Sequence, residues 1–245
     1  MTAVAIPTIR TGSSSDSFLD IPSLQDGDRL TRAEFERRYQ AMPELKKAEL
    51  IEGVVHMGSP VSANGHAEPH FDLIGLLFLY RLHTPGVVGG DNATLRLDLD
   101  NEPQPDAYLR ILPEFGGQAV LDSIGYVSGA PELVAEVAVS SVSYDLHDKL
   151  NAYRRNQVRE YLVWRVRDRE VDWFILRDGE FIQQSLSADG LLRSEVLPGL
   201  WLDPAAVVAR DTSRMFAVAM QGVASPEHGA FVTQLQTALK VTPST

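Results

Sequence analysis

The stretch Leu133-Val134-Ala135-Glu136-Val137-Ala138-Val139 constrains this chain more than any other. Its unbroken run of leucine, valine and alanine suits a strand covered on both faces, because β-branched side chains pack well on a pleated surface. In the middle of the run stands Glu136. An ionised carboxylate buried without a partner costs on the order of several kcal/mol, so a raised pKa, a paired cation or a bound metal must accompany it. Alternation along the strand puts Val134, Glu136 and Ala138 on one face and Leu133, Ala135, Val137 and Val139 on the other. Glu136 therefore projects from a face whose other members are apolar and small, which leaves room beside it.

Two more residues belong to the same problem. Pro105-Asp106 leads into Ala107-Tyr108-Leu109, a second acid entering an apolar stretch. Lys149 follows on a segment where Leu146, Leu150 and Tyr153 have the i, i+4, i+7 spacing of a helix stripe facing a core. It lies on the edge of that stripe, from which a lysine can reach back over the preceding strand. Mg²⁺ is held by hard oxygens, typically one or two carboxylates with water and a substrate phosphate. A metal there polarises a phosphate and acidifies a water, while an ammonium beside it stabilises developing charge. Lysine suits that position as a compact point charge. Two strand carboxylates followed by a lysine thus match the parts of a metal-dependent phosphodiesterase, provided that Asp106 and Glu136 lie within about 8 Å of each other. The competing reading makes Glu136 half of a structural salt bridge and Asp106 a turn acid after Pro105. In it, Lys149 is the surface partner of Asp145, a pair contributing about 0.3 to 0.5 kcal/mol.

Around these residues the pattern gives an α/β (α+β) order. Thr31 and Glu34 have capping-box spacing at the start of a short helix that ends near Met42-Pro43. A hairpin over residues 49–57 turns at Glu52-Gly53 and is closed by Ser59-Pro60. From about Gly65 to His83 the positions Phe71, Ile74, Leu77 and Phe78, with Leu73 and Leu76, predict a long, largely buried helix. An alternating strand over 94–99 and the strand carrying Asp106 follow, then a Gly- and Ser-rich loop from Pro113 to Gly129. After the Glu136 strand, Ser140-Ser141-Val142-Ser143 offers N-cap chemistry to a helix from Tyr144 to Asn156. Strands at 160–164 and 171–176, a hairpin turn at Asp178-Gly179, and a helix from Asp203-Pro204 to Ala209 come next. The expected division is a disordered leader over 1–27, one domain over 28–210, and an extension over 211–245 with a single helix near Phe231 to Leu239 and a frayed Pro243-Ser244-Thr245 tail. A mixed central sheet flanked by helices accommodates this order.

Composition narrows the class. Without cysteine, neither disulfides nor thiolate zinc sites are available. Residues 1–20 resemble no secretory signal, and the longest apolar run, Leu73 to Tyr80, is far short of the roughly 20 residues that cross a bilayer. A soluble cytoplasmic protein is expected. The net charge of −11 weakens non-specific DNA affinity, which comes from phosphate neutralisation, yet Lys149, Arg154, Arg155, Arg159, Arg165, Arg167 and Arg169 crowd near the suspected site.

The ordered segments Glu49-Leu50-Ile51-Glu52-Gly53, Pro105-Asp106, Pro131-Glu132-Leu133-Val134-Ala135-Glu136-Val137, Asp145-Leu146-His147-Asp148-Lys149 and Glu160-Tyr161-Leu162-Val163-Trp164 resemble the PD-(D/E)xK nuclease superfamily. Within it they are similar to the Uma-two family of "putative restriction endonucleases", over about residues 28 to 205. The resemblance implies a restriction-endonuclease-like fold and hydrolysis of DNA phosphodiester bonds with Mg²⁺ or Mn²⁺. It implies Asp106 and Glu136 as metal ligands, Lys149 as catalytic lysine, Glu49 as an accessory acid, and a homodimer. Two departures stand out. Ala138 occupies the place, two residues after the glutamate, where the simplest pattern has lysine, so Lys149 substitutes from the helix as in the family's migrated form. Val139-Ser140-Ser141 stands where the family commonly has Ser-Pro-Ser, with a slightly shorter connection.

An alternative of another class is a catalytically silent nuclease fold serving as an interaction or dimerisation module, favoured by the acidic composition and Ala138. A sugar hydrolase using a carboxylate pair lacks an aromatic platform and gives Lys149 no role. His66 and His70 have i, i+4 spacing but read as polar positions of an amphipathic helix, His66 being the better candidate to line a site. Trp164 and Trp173 read as strand core or interface aromatics.

Overall fold

The computed structural model describes residues 21–58 and 62–241. Helix α1 (Arg32–Gln40) precedes the hairpin β1 (Ala48–Ile51) and β2 (Val54–Met57). A wide π-type turn, Ala63–Ala67, runs into α2 (Glu68–His83). Then come β3 (Val87–Gly90), β4 (Leu95–Arg96), β5 (Ala107–Ile111), β6 (Val120–Leu121), β7 (Val127–Ser128) and β8 (Leu133–Ala138). A single turn, α3 (Val142–Tyr144), a second π-type turn, Asp145–Lys149, and α4 (Leu150–Arg155) follow. The chain continues through β9 (Glu160–Arg165), β10 (Glu170–Arg177), β11 (Glu180–Gln183), β12 (Leu192–Arg193) and β13 (Trp201–Leu202) to α5 (Pro204–Ala209), α6 (Thr212–Val223) and α7 (Pro226–Val241).

The main sheet has six strands in the order β11-β10-β9-β8-β5-β3. β8 and β9 run parallel, joined by the helical crossover that carries Lys149, and the remaining pairs are antiparallel. β8 lies inside this sheet with every residue buried, as its continuous apolar run requires. Leu133, Ala135 and Val137 pack on one face against Leu73, Leu76, Leu77 and Tyr80 of α2 and Met215, Phe231 and Leu235 of α6 and α7. Val134 and Ala138 pack on the other against Tyr153, Tyr161 and Val163. Glu136 shares that second face. In the β5–β8 ladder Ala107 faces Ala135, so one residue further Asp106 comes opposite Glu136.

Both expected hairpins form. Glu52 (φ 51°) and Gly53 (φ 73°), like Asp178 (φ 51°) and Gly179 (φ 83°), take the two left-handed conformations that a two-residue hairpin turn needs. Several other expectations are corrected. α2 buries Leu73, Leu76, Leu77 and Tyr80, whereas Phe71 and Phe78, seven residues apart on the outer side, are 77% and 49% exposed. The Thr31 side chain makes no cap hydrogen bond to α1, and the Glu34 carboxylate is held by Arg37 and Arg38 rather than reaching back. The expected strand over 94–99 stops at Arg96, where Asp98 turns the chain by accepting from the Asp100 amide and the Asn101 side chain. The loop over 113–129 holds β6 and β7, which form a small sheet with β4. Beyond Asp211 there are two helices rather than one. α6 buries Met215, Val218, Ala219 and Gly222, residues mostly too small to announce an apolar stripe. Residues 1–20 of the expected leader, Ser59-Pro60 and the Pro243 to Thr245 tail lie outside the described residues, while Leu24 is buried with Phe35, Leu50 and Val55.

Since α7 closes one side of the main core, Leu235→Ala should lower the unfolding free energy by about 2 to 4 kcal/mol in urea denaturation. A loss below about 0.5 kcal/mol would mean that α7 does not belong to that core.

Candidate active site

β1 holds Glu49 beside the main sheet. Ala48 and Leu50 turn into the small core under α1, and Leu50 exchanges both backbone hydrogen bonds with Glu102. Glu49, on the opposite side of the strand, accepts from the Gln104 amide at 2.7 Å. β8 supplies Glu136, and the residue preceding β5 supplies Asp106. Glu136 Oε2 accepts from the Asp106 amide at 3.3 Å, while Asp106 Oδ2 accepts from the Val137 amide at 2.8 Å. The two carboxylates are thus interlocked neighbours across one pair of strands.

Lys149 arrives from the crossover. The π-type turn Asp145–Lys149 has five residues where an α-turn has fewer, which rotates Lys149 towards the sheet and brings it over the ring of Tyr144, five residues earlier. The Tyr161 hydroxyl steadies this turn by donating to the Asp145 carbonyl at 3.1 Å. The Lys149 ammonium lies 2.8 Å from Glu136 Oε1, 3.0 Å from Glu49 Oε1 and 3.9 Å from Asp145 Oδ1. Lys149 and Glu136 are each only 3% exposed. Glu49, Asp106, Glu136 and Lys149, far apart in the chain, therefore form one buried cluster, and the pairing of Lys149 with Asp145 is an interior contact rather than a surface one.

Further groups complete the cluster that the spacing of residues did not disclose. Asp145, held by the Ser141 hydroxyl at 2.6 Å, is a third carboxylate facing Lys149. Tyr153 donates to Glu136 Oε1 at 3.1 Å, and Lys47 approaches Asp106 Oδ1 at 3.9 Å. His66 does line the site, its Nε2 being 3.0 Å from Asp106 Oδ2. His70 Nε2 lies 2.8 Å from the Asp106 carbonyl. Both acceptors can only accept, so both imidazoles carry a proton on Nε2. The i, i+4 histidines thus hold Asp106 by side chain and backbone rather than gripping a metal together.

These surroundings drive the two central acids apart. Burial pushes Glu136 up to about 8, opposed by Lys149 and reinforced by Asp106, Asp145 and Glu49. Burial also works to raise Asp106, but the His66 hydrogen bond and charge, Lys47 and the Val137 amide hold it at about 2. Burial raises Asp145 against the pull of Lys149 and Ser141. For Lys149 burial favours the neutral amine, yet the facing carboxylates outweigh it and hold the side chain well above its ordinary range. A pair of carboxylates separated in this way is suited to two different tasks.

Among the described residues no group of three or more His, Asp and Glu side chains converges as a complete metal cage. The donor set fits a hard divalent cation nonetheless. Mg²⁺ and Mn²⁺ sites need only one or two carboxylates, and Asp106 and Glu136 supply adjacent hard oxygens. Each keeps one lightly held atom, Asp106 Oδ1 with Lys47 at 3.9 Å and Glu136 Oε2 with an amide at 3.3 Å.

Three arginines of the basic run after Lys149 are engaged by carboxylates. Arg154 meets Glu180, Arg155 meets Glu52 and Asp98, and Arg165 meets Asp168, Glu170 and Asp172. Trp164 and Trp173 are buried in the main core. No helix among the described residues is long and apolar enough to cross a membrane.

The mixed sheet, its helical crossover and the cluster at the β5–β8 junction define a nuclease-type α+β fold. A solved structure described as "a putative nuclease belonging to DUF820" from Anabaena variabilis shares this fold, with a TM-score of 0.54 and 12% identity over 71% of this chain and 96% of that one. The Uma2 (Uma-two) family, described as "Putative restriction endonuclease", matches residues 32–205, and the chain belongs to that family. No curated protein matches it.

Because the folded pKa of Glu136, about 8, exceeds its unfolded value near 4.5, its contribution to stability is fully present below pH 4.5 and is lost as pH rises through 8. Glu136→Gln should therefore flatten the fall in urea midpoint between about pH 5 and pH 8.5. Equal falls in both proteins would show that Glu136 does not titrate in that window.

Proposed function

We propose that the protein is a divalent-metal-dependent endonuclease that hydrolyses DNA phosphodiester bonds, acts in the cytoplasm and works as a homodimer so that both strands can be cut. The observation that carries this reading is the convergence of Lys149 on Glu136 and Glu49, 2.8 Å and 3.0 Å away, beside the interlocked Asp106. Asp106 and Glu136 would hold Mg²⁺ or Mn²⁺, which when bound polarises the scissile phosphate and lowers the pKa of a water.

The residues of the chain divide the remaining work. Asp106, ionised above about pH 2, is an anionic oxygen donor throughout the physiological range. His66, His70 and the Val137 amide fix its orientation. Glu136, whose charge is disfavoured by burial, gives up its proton most readily when an added cation compensates it. Tyr153 holds its other oxygen in place. Lys149 supplies fixed positive charge to the phosphate as negative charge builds on it, and Glu49 and Asp145 keep the ammonium aimed at the site.

A second reading is favoured by one specific observation: Lys149 already compensates Glu136, so burial of the acid does not require a metal. In that case the chain is a silent nuclease fold used as an interaction module. Calorimetric titration with Mn²⁺ paired with plasmid cleavage separates the two. The endonuclease reading expects one Mn²⁺ per chain at least, loss of that binding in Glu136→Ala, and nicking by wild type alone. Binding without any cleavage would favour the module, and no binding by wild type would sink the metal site.

A further inference from the structure

Three tyrosines surround the buried charges, and two have partners. Tyr153 donates to Glu136 Oε1 and Tyr161 to the Asp145 carbonyl, each at 3.1 Å. The third, Tyr144, has a hydroxyl with essentially no access to water and no hydrogen-bond partner among the described residues. Buried hydroxyls are nearly always paired, because leaving one unpaired forfeits its hydration without return. The position of this ring is nevertheless closely specified. His56 lies against it with centroids 4.2 Å apart and planes at 37°, and the Lys149 ammonium sits 5.4 Å from its centroid. His56 is itself placed by the β1–β2 ladder, directly across from Glu49.

A group held this firmly, without an acceptor among the described residues, is suited to receive one from a ligand. The acceptor's chemistry follows from the neighbours. Lys149 attracts an anion, while Glu49, Glu136 and Asp145 admit one only if donors outnumber bare oxygens around it. A neutral hydroxyl adds a donor without adding a charge to be desolvated. Burial and the facing Glu49 push the Tyr144 hydroxyl up from its ordinary pKa, so it keeps its proton.

We propose that Tyr144 is a substrate-contacting residue, its hydroxyl donating a hydrogen bond to a non-bridging oxygen of the scissile phosphate beside Lys149, with His56 as the positioning residue behind its ring. The proposal rests on the endonuclease reading above. No bond to Tyr144 forms or breaks: the hydroxyl is a donor and not a nucleophile. Oxyanion donors of this type, when removed, lower kcat by about 100- to 1,000-fold.

The test compares wild type, Tyr144→Phe and Tyr144→Leu in Mn²⁺-dependent plasmid nicking, Mn²⁺ calorimetry and thermal denaturation. Tyr144→Phe keeps the ring against His56 and Lys149 and removes only the unpaired hydroxyl. It should unfold at the same temperature as wild type or higher, bind Mn²⁺ with the same affinity, and lose at least about ten-fold in kcat with little change in KM. Tyr144→Leu should lose as much rate and also unfold at a lower temperature. A Tyr144→Phe protein that nicks at the wild-type rate would overturn the assignment while leaving the endonuclease reading intact. So would a lowered unfolding temperature in Tyr144→Phe, since the hydroxyl would then have had a partner in the fold. Wild type that binds Mn²⁺ and nicks nothing would overturn the endonuclease reading, and this assignment with it.

Discussion

The ammonium of Lys149 is the interaction on which the rest of this structure depends. It meets Glu136 from the main sheet, Glu49 from the first hairpin and Asp145 from its own turn. Without it, those carboxylates and Asp106 would share a dry interior with like charges at close range, where Coulomb repulsion is several times stronger than in water. Truncating one member of a buried charge cluster typically costs about 3 to 5 kcal/mol for this reason. The wide turn Asp145–Lys149 and the hydroxyl of Tyr161 that steadies it make sense as the means of bringing a helix-borne lysine onto the strand face. The small core of Leu24, Phe35, Leu50 and Val55 is likewise tied to the main sheet where Glu49 meets Lys149 and Leu50 meets Glu102.

Chemistry at the site comes from asymmetry. Asp106 and Glu136 face each other across two strands, but His66, Lys47 and an amide outweigh burial at Asp106, whereas at Glu136 burial and the neighbouring acids outweigh Lys149. One stays ionised under nearly all conditions. The other is poised near neutrality, so that its charge responds to whatever cation arrives. On the proposed reading, the same low-dielectric surroundings that make the cluster costly to form would make each of its charges effective on a phosphate. Family membership and fold agree on a nuclease-type protein.

The strand of Glu136 and its burial were legible because strand periodicity and an apolar run determine them locally, and the acid stood out against that background. Asp106 was legible as a second acid entering a buried stretch, and Lys149 by its place on the edge of a helix stripe. Asp145, Lys47, Tyr153 and Tyr144 were not, since their roles depend on a π-type turn and on pairings between distant segments that no local spacing encodes. Asp145 in particular entered only in the competing reading, as a surface partner of Lys149, because i, i+4 spacing is the same for exposed and buried pairs. The basic run from Lys149 to Arg169 read as permissive for DNA binding, most simply as a solvated face that could meet phosphates. Its arginines Arg154, Arg155 and Arg165 instead meet acids from other turns and strands, which only the folded chain brings near. The exposure of Phe71 and Phe78 was hidden by an α2 whose apolar residues encircle it, so that hydrophobicity alone could not say which side faces the core.

Diffraction from Mn²⁺-soaked crystals, with anomalous data collected at the manganese edge, tests the central claim most directly. The expected result is an anomalous peak within about 2.1 to 2.3 Å of oxygens from both Asp106 and Glu136. An empty site at saturating Mn²⁺, with the Lys149–Glu136 pair still at 2.8 Å, would contradict it.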